Sequence, residues 1–81
     1  MTFDEEVRRA EERGPKVLVI DLSGLRFLDS TGLRLIMSAQ ARSKKRGHRL
    51  AIVEGGHAVQ RIFRLAGVNR RLDIVPEAPV T

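Results

Sequence analysis

The stretch "VLVIDLSGLRFLDSTGLRLIM", Val17 to Met37, sets an apolar run rich in branched residues directly before four residues that favour caps and turns. Such a run reads as a buried β-strand, and its continuity points to a central strand of a parallel sheet. The segment from about Ser30 onward has helical periodicity, and Gly47 stands at the C′ position behind Arg46. A strand that passes through one turn into a helix is the first half of a βαβ unit.

Working outward gives the rest of the order. "FDEEVRRAEERG" reads as a short helix, with acids in its first turn, Phe3, Val7 and Ala10 at helical spacing, and Gly14-Pro15 as the stop. "RLAIVE" is a second buried strand. In "GGHAVQRIFRLAGV" a turn leads into a helix whose Val59, Ile62, Phe63 and Ala66 form a core face, with Gly67 as cap. "RLDIV" is a short third strand before the tail with Pro76 and Pro79. The expected class is α/β, with a small, largely parallel sheet. Right-handed crossovers place successive helices on one face and leave the other face without a helix. One domain is expected over residues 1–81, comprising an N-terminal helical segment 1–15, a core 16–75 and a tail 76–81.

Composition narrows the function. A chain of 81 residues has little room for a separate substrate domain, and a domain this small buries only about 60% of its unfolded surface. It has no cysteine, which removes disulfides and thiolate metal sites. No apolar run approaches the roughly 20 residues of a membrane span, and the acidic start is unlike a signal peptide, so a cytoplasmic location is expected. The net charge of +5 raises nucleic acid or an acidic surface as partners. Trp and Tyr are absent and only three Phe occur, which argues against stacking on single strands. Much of the positive charge lies in "ARSKKRGHR", where Arg42, Lys44, Lys45 and Arg46 fall in the last turns of a helix and complement its dipole. A dedicated anion patch is the alternative.

The Asp-Ser-Thr-Gly turn carries the chemistry. Ser30 or Asp29 caps the helix, and the first-turn N–H groups favour an anion there. A phosphate on Ser30, or secondarily on Thr31, would add about −1.5 to −2 charges without unfolding the helix. Leu33, Leu35, Ile36, Met37, Ala39 and Ala41 spread over roughly 240° of that helix, more than packing on one sheet requires. The excess is either wedged between neighbouring helices or faces a partner.

Catalysis finds little support. A nucleophilic Ser30 needs a base within hydrogen-bond reach, and neither His48, at the start of the second strand, nor His57, at the start of the last helix, is placed to serve. Two histidines without a carboxylate cluster make no zinc site. "EGGHAV" lacks both the Gly-x-Gly-x-x-Gly and the Walker patterns and reads as a strand-to-helix turn. Asp21 and Ser23 serve the turn after the first strand. No catalytic residue, metal or cofactor is expected.

Taken together, "VLVIDLSGLRFLDSTGLRLIMSAQARSKKRGHRLAIVEGGHAVQRIFRLAGV" resembles the STAS domain, the anti-sigma factor antagonist family of bacteria. In that family a strand ending in Asp-Leu-Ser leads to a Phe-x-Asp-Ser-Ser/Thr-Gly-Leu turn. The likeness covers nearly all of residues 16–75. It implies that Ser30 is phosphorylated by a partner anti-sigma factor of the histidine-kinase-like ATPase fold. The unphosphorylated antagonist binds that factor and frees a sigma factor for transcription; a serine phosphatase of the metal-dependent type reverses the modification. Asp29, Thr31 and Gly32 would complete the turn, with Leu33, Arg34 and Leu35 in the docking surface. The alternative within the family is a non-switching subunit of a lipid-transport ABC complex or a stress-sensing assembly. The family normally carries two further strands before the first helix, the second often with Gly-Glu-Leu-Asp. Their lack of a counterpart before "FDEEVRRAEERG" implies either a truncated domain or one completed by a second chain at its unpaired sheet edges.

Overall fold

In the computed structural model, which describes residues 2–79, three helices and three strands alternate. Helix α1 spans Phe3–Glu12, strand β1 Val17–Asp21, helix α2 Ser30–Arg46, strand β2 Arg49–Val53, helix α3 His57–Ala66 and strand β3 Asp73–Val75. Several of the helix boundaries have a local chemical cause. The Thr2 hydroxyl caps α1 by accepting from the Glu5 N–H at 3.2 Å, and Asp4, Glu5 and Glu6 place negative charge in its first turn. Helices α2 and α3 end on glycines in the left-handed region, Gly47 at φ 79° and Gly67 at φ 70°, where a side chain would be strained. Of the tail expected over 76–81, residues 80 and 81 lie outside the described residues, as does Met1.

The sheet is parallel throughout, in the order β1-β2-β3. Ile20 stands beside Ile52, and Ile52 beside Ile74. Strand alternation sends Leu18, Ile20, Leu50, Ile52 and Ile74 to one face, where they meet Val7 of α1, Ile36 and Ala39 of α2, and Val59 and Phe63 of α3 in a single core. Removing one such side chain from water contributes about 1.5–3 kcal/mol. The helices lie on that face because both crossovers step the same way across the sheet. Ala51 and Val53 point to the opposite face and are buried there among the side chains of the flanking strands.

Two expectations are corrected. β1 is an edge strand and β2 is central, because two crossovers in one direction leave the first strand outermost. Its outer edge, without a partner strand among the described residues, fits its burial, since Val17 and Val19 are only half-buried, whereas Leu50 to Val53 are all buried. In α3, Ala66, the last residue of the helix, is exposed and lies outside the core face. Ala41, on the wide apolar arc of α2, is exposed, so this part of the excess is not wedged between helices.

Two long-range contacts fix how the helices sit. Arg42 of α2 donates from Nε to both carboxylate oxygens of Glu11 of α1, at 3.0 and 2.9 Å, and the Glu11 side chain is 1% exposed. The Gln40 side-chain amide donates to the Arg71 carbonyl at 2.9 Å and ties α2 to the loop before β3. Arg42 therefore serves the α1–α2 contact rather than the helix dipole, leaving Lys44, Lys45 and Arg46 in the last turn of α2. After β2, Gly55 is buried so tightly that a Cβ there would come within 2.9 Å of the Leu22 carbonyl oxygen, so only glycine fits this close approach.

Candidate functional site at the start of helix α2

The segment between β1 and α2 is pinned at both ends and free in the middle. Leu22 continues the sheet by donating its N–H to the Val53 carbonyl at 3.1 Å, and both Leu22 and Leu28 are buried in the core. Between them Ser23 to Phe27 are exposed. The turn out of β1 is closed by Asp21, whose carboxylate accepts from the Ser23 N–H at 2.9 Å, and by the Leu25 N–H donating to the Leu22 carbonyl at 3.0 Å. The Ser23 hydroxyl, and secondarily its N–H, hold the exposed Asp21 carboxyl below its ordinary value. Asp21 and Ser23 thus have the turn role expected of them.

Asp29 is the N-cap of α2, and its carboxylate accepts from the Gly32 N–H at 2.8 Å. Its carbonyl accepts from the Leu33 N–H at 3.0 Å. Ser30 and Thr31, the first two residues of the helix, are exposed. Among the described residues their N–H groups have no hydrogen-bond partner, so two donors and the positive end of the dipole remain at the turn. The Gly32 donor is already held by Asp29. Arg34, exposed, stands four residues after Ser30 and is therefore its neighbour on the helix surface.

An apolar groove adjoins this turn. Phe3 of α1, Leu25, Phe27 and Leu28 of the connecting segment, and Leu35 of α2 line it together with Asp29 and Thr31. Phe27 is 68% exposed and Leu25 37%, unusual for side chains of that size. The wide apolar arc of α2 is thus divided. Ile36 and Ala39 are buried, Leu33 and Met37 pack against the core from its margin, and Leu35 faces the groove. The sequence alone did not single out Phe27 beyond its place in the motif. The available signal was a large aromatic two residues before a helix cap, where burial was the simpler expectation.

The other candidates are placed elsewhere or paired differently. His48 is half-buried at the entry to β2, the end of the sheet opposite Ser30, and His57 is exposed at the first position of α3. Among the described residues no hydrogen bond joins either to Ser30, and no group of three His, Cys, Asp or Glu side chains could hold a metal ion. The glycines before α3 form a strand-to-helix turn without a side-chain cap.

Two comparisons bear on this arrangement. The sequence profile of the family described as "Mlab, STAS domain" matches residues 1–76. Among solved structures, the crystal structure of an anti-sigma factor antagonist from Mycobacterium paratuberculosis is similar to this chain, with 27% identity and a TM-score of 0.81. The match covers 91% of this chain and 62% of that one, so the chain spans less than two thirds of the protein it matches. With a profile match running through both halves of the sheet and a fold shared with that antagonist, the chain belongs to the STAS domain family.

Proposed function

We propose that this protein is a non-catalytic docking module of the anti-sigma factor antagonist type, whose partner binding is switched by the charge on Ser30. One observation carries the proposal. The exposed Ser30 stands at the first helical position between Asp29 and Thr31, two residues that line an apolar groove with an exposed Phe27. A phosphoryl group on its hydroxyl would turn the rim of that groove strongly negative while leaving every core contact in place. The free Ser30 and Thr31 N–H groups and the neighbouring Arg34 are donors for such a group, whereas Asp29 beside it opposes one by like charge. The fitting partner is an anti-sigma factor of the histidine-kinase-like ATPase fold, with a metal-dependent serine phosphatase restoring the hydroxyl. Binding would use Asp29, Ser30, Thr31, Gly32, Leu33, Arg34 and Leu35.

The specific observation favouring a second reading, a STAS subunit that docks without a phosphorylation cycle, is that Asp29 already occupies the Gly32 donor at the anion-binding turn. The partner-free outer edge of β1 is where a second chain would add a strand. Intact mass after incubation with ATP and an anti-sigma kinase separates the two readings. The switch predicts a gain of about 80 Da, one phosphoryl group, that disappears in Ser30→Ala. No gain with a kinase that phosphorylates its own antagonist would leave the non-switching subunit.

A further inference from the structure

The second feature of this molecule lies at the opposite end of the sheet. All three segments that lead into strands converge there: Arg13 to Lys16 before β1, the last turn of α2 with Gly47 and His48 before β2, and Gly67 to Leu72 before β3. Parallel strands with antiparallel returning helices force this, since each connection starts at a helix C-terminus and ends at the amino end of a strand. These connections carry Arg13, Lys16, Lys44, Lys45, Arg46, Arg70 and Arg71, all exposed. None has an ion-pair partner among the described residues; Arg8, Arg42 and Arg49 are the cations that do. The one exposed carboxylate in the same region is Glu12, because Glu11 is buried against Arg42 and Asp73 is paired with Arg49. With Arg9 and Arg64 in the last turns of α1 and α3, this end holds more positive charge than the net +5 of the whole chain, and the remainder is net negative. The Ser30 end, by contrast, carries Asp21, Asp29, Glu54 and Glu77 against Arg26 and Arg34.

We propose that this basic end is a docking surface for an anionic phospholipid membrane. Dipole matching accounts for Lys44, Lys45 and Arg46 in the last turn of α2 and for Arg13 at the C-cap of α1, yet not for Lys16, Arg70 and Arg71, which lie outside the helices on two separate connections. Four to eight clustered cations are what an anionic leaflet attracts. The choice of a bilayer over nucleic acid rests on two observations. Leu65, in the last turn of α3 and so at this same end, is 75% exposed; an aliphatic side chain among cations inserts into a headgroup layer and has no counterpart on a phosphate backbone. No Phe, Tyr or Trp is available here for base stacking, since Phe63 is buried and Phe3 and Phe27 line the groove at the Ser30 end. Docked in this way the protein would present Ser30 away from the bilayer. The inference stands independently of the phosphorylation switch.

Co-sedimentation with vesicles tests it. The full chain should pellet with phosphatidylcholine vesicles containing about a third phosphatidylglycerol, stay in solution with phosphatidylcholine alone, and be released when salt shortens the Debye length to about 3 Å. Each cation removed should lower partitioning about fivefold, so Lys45→Gln with Arg71→Gln should lose roughly twentyfold or more. Lys44→Gln with Arg70→Gln repeats the test at positions equally exposed. Arg8→Gln with Arg26→Gln removes the same charge elsewhere and should change binding less than about twofold. Leu65→Gln should also weaken binding. The proposal fails if the chain does not pellet with the anionic vesicles, if the control pair loses as much as the other pairs, or if duplex DNA at the same salt competes the protein off the vesicles.

Discussion

Replacing Arg42 by alanine is expected to lower the unfolding free energy by about 3–5 kcal/mol, the cost of stranding a buried charge. The carboxylate left behind, Glu11, has a side chain 1% exposed, and Arg42 Nε is its hydrogen-bond donor. Without the guanidinium, Glu11 would have to ionise unpaired in the contact between α1 and α2, or take up a proton, or pull α1 off the sheet to reach water. A chain of 81 residues has a total stability of about 4–12 kcal/mol by the usual per-residue range, so the single change should remove a large share of it. Replacing both partners, Glu11→Leu with Arg42→Met, removes the stranded charge together with the pair and should recover most of the loss. Urea unfolding followed by circular dichroism measures both variants against the parent. A loss under about 1 kcal/mol for Arg42→Ala would show that the pair behaves as a surface ion pair, with water reaching Glu11.

Phe27→Ala is expected to act on binding and leave stability alone. With 68% of its surface exposed, the ring contributes little to the core, and its removal should change unfolding by no more than about 0.5 kcal/mol. In a complex formed over the groove the same ring would be an aromatic anchor beside Leu25 and Leu35, and loss of such an anchor costs about 2 kcal/mol or more, roughly thirtyfold in affinity. Leu28→Ala is the contrasting variant. Leu28 lies one residue further along and is buried, so its truncation should cost about 2–5 kcal/mol of folding stability. Titration of an anti-sigma factor into each variant, alongside urea unfolding, separates the two roles. Equal stability losses for Phe27→Ala and Leu28→Ala would place Phe27 in the core and remove the anchor.

What the sequence disclosed and what it withheld follow from the range of the interactions involved. The limits of α2, Ser30 to Arg46, were legible because a carboxylate cap and a left-handed glycine are chemistry of neighbouring residues. The common face of the helices was legible because crossover handedness is a general rule. The edge position of β1 was not, since the order of strands in a sheet leaves no mark on the composition of one strand beyond its burial. Glu11 and Arg42 are 31 positions apart; read along the chain, one is an acid late in a helix and the other a cation suited to a dipole. At the site, Asp29, Ser30, Thr31 and Gly32 stood out as a turn of fixed spacing, whereas the groove is assembled from α1, the connecting segment and α2, so the exposure of Phe27 emerged only when the three met. The basic end is of the same kind: its cations come from three connections that only the topology brings together.

The central claim is that charge on Ser30 governs docking, and the most direct measurement of it is calorimetric titration of an anti-sigma factor of the histidine-kinase-like ATPase fold into two preparations of this protein, one unmodified and one stoichiometrically phosphorylated on Ser30. The account predicts saturable one-to-one binding by the unmodified form and a loss of about 2–3 kcal/mol, roughly a hundredfold in affinity, in the phosphorylated form, as expected when like charge is set against a desolvated contact. Equal affinities for the two forms would contradict it and leave a STAS module whose docking does not depend on the state of Ser30.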